Sequence, residues 1–263
     1  MASDKPTHLT PFNASAFQDA SVVAAYHRRP QYTLEAMAFL AGLIPQDSSR
    51  RVLDVGTGTG FIARQLVELV SGVDAVDISA AMIATARTLP NGDHPRLHWF
   101  VGQAEDAAPQ PPYALITAGE SLHWMDWAVA LPHFARVLEP GGALAMLYPV
   151  QQPAPWHTAL QAVIERYSTL RHYTPIDLPR VLEARGLFRR RGTHRTTVSA
   201  FRQPLDGYIE SFHARAAFSK ERMTAENAQA FDDAVRAIVA PHIEQAVVLE
   251  VCTEIIWGDP LQP

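Results

Sequence analysis

From about residue 51 to 150 the chain alternates short apolar runs with stretches whose apolar residues recur every three or four positions. That alternation predicts parallel strands joined by helices. The strand-length runs are Arg51–Val55, Val73–Asp77, Arg96–Val101, Tyr113–Ala118 and Ala143–Tyr148. Ile62, Leu66, Leu69 and Val70 predict a helix after the first run; Met82, Ile83 and Ala86, with Ser79 as cap, predict one after the second. Asp126 can cap a further helix on which Trp127, Leu131, Phe134 and Leu138 recur at helical spacing, and Glu139-Pro140-Gly141-Gly142 must end it. Five strands in this order make an open α/β sheet.

Residues 14–43 read as mainly helical, with Phe17, Val22, Val23 and Tyr26 along one side, Leu34, Met37, Ala38 and Ala41 along another, and a break at Pro30. Beyond Pro149 come helical patterns near 154–170 and 177–186, a strand at Gly192–Phe201, helices at Leu205–Ala216 and Ala225–Ala240, and a closing strand at Val247–Trp257. The expected organisation is one domain over 1–263. It comprises a helical lid at 14–45, a core at 51–150, late strands with helical cap insertions at 151–246, and the closing strand at 247–257.

Composition narrows the class. The chain has 263 residues, 48% hydrophobic and 19% charged, enough to bury a sizeable core. No apolar run approaches the roughly 20 residues a membrane helix needs, and MASDKPTHLT has no basic region leading into an apolar one, so a soluble, cytoplasmic protein is expected. Cys252 is the lone cysteine, which excludes an intrachain disulfide, and its setting VVLEVCTEIIW reads as buried strand. A formal net charge of −5 argues against a nucleic-acid partner. The exception is local: Arg185, Arg189, Arg190, Arg191 and Arg195 could receive an anion or simply form a solvated face. Oligomeric state leaves no signature in the sequence.

The densest glycine cluster is VLDVGTGTG, Val52 to Gly60, where the first strand turns into a helix. Glycines there let the backbone approach a ligand closely. The dinucleotide fingerprint needs G-x-G-x-x-G, but Phe61 stands where its third glycine belongs. Asp54, two residues before Gly56, would repel a pyrophosphate and favour a cationic ligand. Asp77, closing the next strand, is placed to accept hydrogen bonds from ribose hydroxyls and so supports an adenosine group.

VLDVGTGTG, the VDIS segment with Asp77, GQAEDA at Gly102–Ala107 and RVLEPGG at Arg136–Gly142 resemble the successive motifs of class I S-adenosylmethionine-dependent methyltransferases. AYHRRPQY and SLHW at Ser121–Trp124 further resemble the small-molecule branch with trans-aconitate methyltransferase-like and ubiquinone-biosynthesis-like enzymes. The resemblance implies S-adenosyl-L-methionine as cofactor and a small-molecule methyl acceptor. It implies that Gly56, Thr57 and Gly58 line the methionine portion with Asp54 beneath. Asp77 would bind ribose, Ile78 and Met82 would pack on adenine, and Gln103, Ala104 and Glu105 would border its edge. Tyr26, Arg29 and Tyr32 match a segment that closes over the cofactor, where an arginine can pair with the methionine carboxylate. The expected fold is therefore α/β: a Rossmann-like open sheet of about seven strands, mostly parallel with an antiparallel last strand, plus a partly helical cap.

In such a sheet the segment leaving the fourth strand, Gly119 to Trp124, faces the reacting atoms. Methyl transfer is an in-line displacement, so the protein mainly aligns the reactants and excludes water. His123 is the candidate general base, or else a structural histidine beside the helix cap. Glu120 is a candidate for orienting acceptor or cofactor. His213, sharing a helix face with Glu210, is a second candidate for the acceptor pocket. No histidine spacing suggests a metal site. Three other readings stay open: a catalytically inactive binding protein, an NAD-type oxidoreductase, and a serine hydrolase built on Gly119-Glu120-Ser121-Leu122-His123.

Overall fold

The five strand-length runs form β1 (Arg51–Val55), β2 (Gly72–Asp77), β3 (Leu97–Val101), β4 (Tyr113–Gly119) and β5 (Leu138–Gln151) in a computed structural model that describes residues 5–107, 109–171 and 173–262. Three further strands, β6 (Phe188–Arg195), β7 (Ser199–Gln203) and β8 (Val247–Pro260), complete one sheet in the order β3-β2-β1-β4-β5-β8-β6, with β7 also pairing β8. The first five strands pair parallel, while β8 runs antiparallel to β5, β6 and β7. The open Rossmann-like sheet with an antiparallel last strand is therefore present.

The strand expected at 192–201 is instead two strands. β6 pairs residues 254–260 of β8 and β7 pairs residues 247–251, so the chain steps along β8 through a non-strand stretch at 196–198, where Thr196 still bonds Thr253. One long strand thus receives two short ones, giving eight strands where about seven were expected.

The helices are α1 (Pro11–Ala14), α2 (Ala20–Ala25), α3 (Leu34–Leu43), α4 (Ala63–Leu66), α5 (Ala80–Thr88), α6 (Trp127–Val137), α7 (His157–Tyr167), α8 (Leu178–Ala184), α9 (Leu205–His213) and α10 (Ala225–Val239). Thr33, Ser79, Asp126, Asp177 and Thr224 each cap a helix by accepting from a backbone N–H in its first turn. Two faces differ from expectation. On α3 the buried residues are Ala36, Met37 and Leu40, while Leu34 and Ala38 face solvent, so the apolar stripe is rotated from the predicted one. The helix after the glycine turn is a single turn, α4, and Leu69 lies exposed beyond it.

Alternate side chains of the parallel strands feed cores on opposite faces of the sheet. Val52 and Leu115 pack with α3 and α4 residues such as Met37 and Leu66; Leu53 and Ile116 pack with α6 residues Trp127, Leu131 and Phe134. A third core, with Trp156, Tyr208, Phe212, Phe218, Phe231 and Val247, joins α7, α9 and α10 into the cap. No helix among the described residues is long and apolar enough to cross a membrane.

Candidate active site

Strand order reverses between β1 and β4, whose registers place Asp54 beside Thr117. A cleft opens at the carboxyl ends of these strands, as the topology requires. Its larger cavity, about 790 Å³, is lined by Tyr26, Gly56, Gly58, Asp77, Ile78, Met82, Gln103, Ala104, Glu105 and Glu120, together with Phe17 and Trp124. A narrow adjoining cavity is lined by Tyr26, Arg29, Tyr32, Asp54, Gly56, Thr57, Phe61 and Glu120. Tyr26, Gly56, Gly119 and Glu120 line both, so the two are neighbouring compartments of one cleft.

The glycine turn shapes the wall between them. Gly56 has φ +63°, and a Cβ there would come within 2.4 Å of Ser121 Cβ, so only glycine fits. Gly58, at φ +56°, lies beneath Tyr26, whose ring carbon would be 3.1 Å from an added Cβ. Phe61 packs 5.7 Å from the Tyr26 ring and lines the narrow cavity. The residue that broke the dinucleotide pattern is thus a wall of the site.

The backbone donors of this turn are already engaged. Thr57 N–H donates to the Val76 carbonyl at 3.0 Å, Gly60 N–H to the Thr57 carbonyl at 2.8 Å, and Gly58 N–H to Asp77 Oδ2 at 2.7 Å. A pyrophosphate site needs such amides free and no carboxylate beside them. This turn therefore opposes the oxidoreductase reading.

Asp54 is 1% exposed and accepts from Thr57 Oγ1 at 2.5 Å and Thr117 Oγ1 at 2.7 Å. Burial raises its pKa to about 6, even though these hydroxyl donors pull it down. No ion pair neutralises it among the described residues. Asp77, also raised by burial, is steadied by the amides of Gly58 and Ser79. Two buried carboxylates thus stand at the base and side of the cleft. Trp124 Nε1 is a buried donor with no hydrogen-bond partner among the described residues, on a side chain that lines the larger cavity. A ligand with a cationic group near Asp54, hydroxyls near Asp77 and an adenine-sized ring against Ile78, Met82 and Ala104 fits these residues.

Arg29 reaches over the narrow cavity to form an ion pair with Glu120. Burial alone would lower the Arg29 pKa; the charge of Glu120 more than reverses this. Glu120 holds a left-handed backbone, φ +47°, at the end of β4, which is costly for a residue with a Cβ. Burial pushes His123 down to about 4, only partly opposed by Glu120, so its ring is neutral at neutral pH. His123 packs beside Trp124 at 5.0 Å without lining either cavity.

Two candidate assignments change. His213 is 1% exposed within the cap core, its Nδ1 2.7 Å from the Phe218 carbonyl and its Nε2 2.8 Å from Asp232 Oδ1. With both nitrogens engaged in packing the cap, it is not brought to the cleft. Ser121 Oγ donates to the Val55 carbonyl at 2.7 Å and has no histidine partner among the described residues, which removes the hydrolase constellation. The arginine cluster is mostly spent on carboxylates within the chain: Arg189 and Arg191 pair with Asp259, Arg190 with Glu183 and Arg195 with Glu254. Arg185 lies over the Trp127 ring, 5.2 Å from its centroid.

Lys5 and Phe17, unsuspected from the sequence, also line the larger cavity, and Lys5 Nζ donates to the carbonyls of Trp124 and Met125. Phe17 belongs to the apolar stripe predicted for 14–43, but the stripe alone does not tell that it faces a cleft, and Lys5 lies outside any periodic pattern. Among the described residues no group of three or more His, Cys, Asp or Glu could hold a metal ion.

Residues 52–142 match a family described as methyltransferase domain. The match runs from β1 into β5 and takes in Asp54, the glycine turn and Asp77. An uncharacterised methyltransferase of Mycobacterium tuberculosis is 37% identical to this chain over 130 residues, 49% of this chain and 50% of that one. A trans-aconitate 2-methyltransferase of Azoarcus sp. is 34% identical over 125 residues, covering 46% and 48% of the two chains. The chain thus spans about half the length of these relatives. A structure assigned as a type II methyltransferase from Anaeromyxobacter dehalogenans superposes over 88% of this chain and 97% of its own, with TM-score 0.62 and 24% identity. A methyltransferase from Thiobacillus denitrificans, solved with S-adenosyl-L-homocysteine, covers 90% and 96%, with TM-score 0.51 and 17% identity. Both solved structures support the fold alone.

Proposed function

We propose that this protein is an S-adenosylmethionine-dependent methyltransferase acting on a small-molecule acceptor at oxygen, nitrogen or carbon. One observation carries the reading: a buried, unpaired Asp54 raised to about 6 sits beneath a glycine turn whose amides face protein acceptors, beside a cavity flanked by Asp77. That combination suits a cationic adenosyl ligand and disfavours a phosphate. When bound, S-adenosylmethionine supplies an electrophilic methyl group on a sulfonium.

The residues of the chain then have distinct tasks. Asp77 is set to hold ribose hydroxyls; Ile78 and Met82 give adenine an apolar face, and Gln103, Ala104 and Glu105 border it. Gly56, Thr57 and Gly58, with Asp54 below, hold the methionine portion. The Arg29–Glu120 pair offers a cation and an anion side by side, which matches the carboxylate and ammonium of an amino acid. Tyr26 and Phe17 exclude water from the cleft. His123, neutral at neutral pH and packed on Trp124 just outside both cavities, is the candidate base for a hydroxyl or amine acceptor, which it would meet only if its ring turns toward the cleft. Names borne by relatives, trans-aconitate 2-methyltransferase among them, support a small organic acceptor. The domain reading assigns 14–45 as the lid, 51–150 as the cofactor-binding core, 151–246 as late strands with the cap, and 247–257 as the closing strand. The buried, solitary thiol of Cys252 supports a reducing, cytoplasmic setting.

The test is incubation of purified protein with S-adenosylmethionine carrying a labelled methyl group and a cell metabolite extract, followed by mass spectrometry. A labelled small molecule whose yield falls at least a hundredfold in His123→Asn supports the full reading. Unchanged yield returns His123 to a structural role, and no labelled product defeats the activity.

A further inference from the structure

The segment 11–26 carries Phe17 and Tyr26 to the cleft, yet it is tied to the cap by residues 219–222. Arg222 is the hub. Its Nε donates to Asp19 Oδ2 at 2.7 Å, Nη1 to the Phe12 carbonyl at 2.7 Å and Nη2 to Ser15 Oγ at 2.9 Å, while its guanidinium covers the Phe12 ring at 4.8 Å. Ser219 Oγ donates to the same Asp19 oxygen at 2.6 Å. Two residues on, Ser21 N–H donates to Glu221 Oε1 at 2.9 Å, and Lys220 N–H donates to Ser21 Oγ at 3.0 Å.

Two features set this contact apart from ordinary surface pairing. Asp19 stands at the N-cap of α2, where its carboxylate would normally accept from the first-turn amides, but it makes no capping bond and turns to Arg222 instead. The pair is also shielded, with 19% and 16% of the Asp19 and Arg222 side chains exposed, so water screens it little. Its far anchor is rigid: Phe218, just before the latch, stacks on Phe231 at 4.6 Å and its carbonyl meets His213. On the lid side, Phe17 meets Trp124 edge-on at 5.8 Å and Tyr26 covers Gly58.

We propose that Asp19 and Arg222 are positioning residues whose ion pair latches the 11–26 segment to the cap, so that cofactor enters and leaves only when the pair opens. The latch rests on the methyltransferase reading for what passes beneath it, but its mechanics can be measured without any ligand. Hydrogen exchange of the amides in 11–26 should accelerate at least tenfold in Asp19→Asn and in Arg222→Met, and the double variant should fall well short of the product of the two effects because both singles break the same ion pair. Unchanged exchange, or effects of the two substitutions that multiply, overturns the latch. In stopped-flow displacement, S-adenosylhomocysteine should leave both single variants at least tenfold faster than wild type. Equal rates overturn the gating role even where exchange responds. Failure of wild type to bind S-adenosylhomocysteine would instead refute the methyltransferase reading, leaving the exchange measurement to judge the latch.

Discussion

The half of the cleft built by β1, β2 and β4 works through backbone and buried carboxylates, whereas the half covered by the N-terminal lid is held to the cap by charged side chains joined over long sequence distances. In the first, Asp54, Gly56, Gly58 and Asp77 lie within 24 residues of one another and act through local geometry. In the second, Arg28 meets Glu210, Ser21 meets Glu221 and Asp19 meets Arg222, each pair about 180 to 200 residues apart. The contrast separates tasks. The sheet side fixes which ligand fits, and the lid side fixes when it can come and go.

Substitutions should act differently on the two halves. Gly56→Val puts a branched side chain into Ser121 at a backbone angle that valine avoids. It should cost about 3 kcal/mol or more of stability and abolish cofactor binding, read by thermal melts and calorimetry. A stable Gly56→Val protein that binds normally would break the distinction at its strongest point.

Asp54→Asn should separate stability from binding. Burial raises the folded pKa to about 6, above the ordinary 3.8, so the fold prefers the neutral carboxyl. The stability tied to that preference is fully present below about pH 4 and is lost as pH rises through 6, a loss on the order of 3 kcal/mol in the ligand-free protein. His123 runs the opposite way: its folded pKa, lowered to about 4, favours the neutral ring, so its stability is present above 6.5 and is lost as pH falls through 4. The two oppose each other between about pH 4 and 6. Urea unfolding of Asp54→Asn should therefore show stability rising with pH across that window, more steeply than wild type, while affinity for S-adenosylmethionine falls about a hundredfold. A variant that follows the wild-type pH profile would remove Asp54 from the account.

The smallest effect belongs on the arginine face. Arg190→Ala breaks a half-exposed pair with Glu183 and should shift stability by no more than about 1 kcal/mol, with cofactor affinity unchanged. A loss of affinity there would mean the basic cluster takes part in binding.

The same contrast explains what could be read from the chain. The alternation of strand runs and the spacing Asp54, Gly56, Gly58, Asp77 are local patterns, and the structure keeps them in one cleft. His213 was misleading because helical spacing reports only which residues share a face; the shared face here turns into the cap core against Asp232. The continuous strand at 192–201 failed because nothing local tells that β8 is long enough to accept two partners in succession. α4 ended after one turn although Leu69 keeps the helical period, since periodicity carries no information on where a chain must leave the sheet. Lys5, Phe17 and the Asp19–Arg222 pair gain meaning only once the fold has brought distant segments together.

The central claim is that the cleft selects a cationic adenosyl ligand through Asp54. Calorimetric titration of wild type and Asp54→Asn with S-adenosylmethionine and with NAD, from pH 5 to 8, tests it directly. The account predicts saturable S-adenosylmethionine binding that tightens as pH rises through about 6 in wild type, little pH response in the variant, and no NAD binding. Absence of S-adenosylmethionine binding, or tighter binding of NAD, would contradict it.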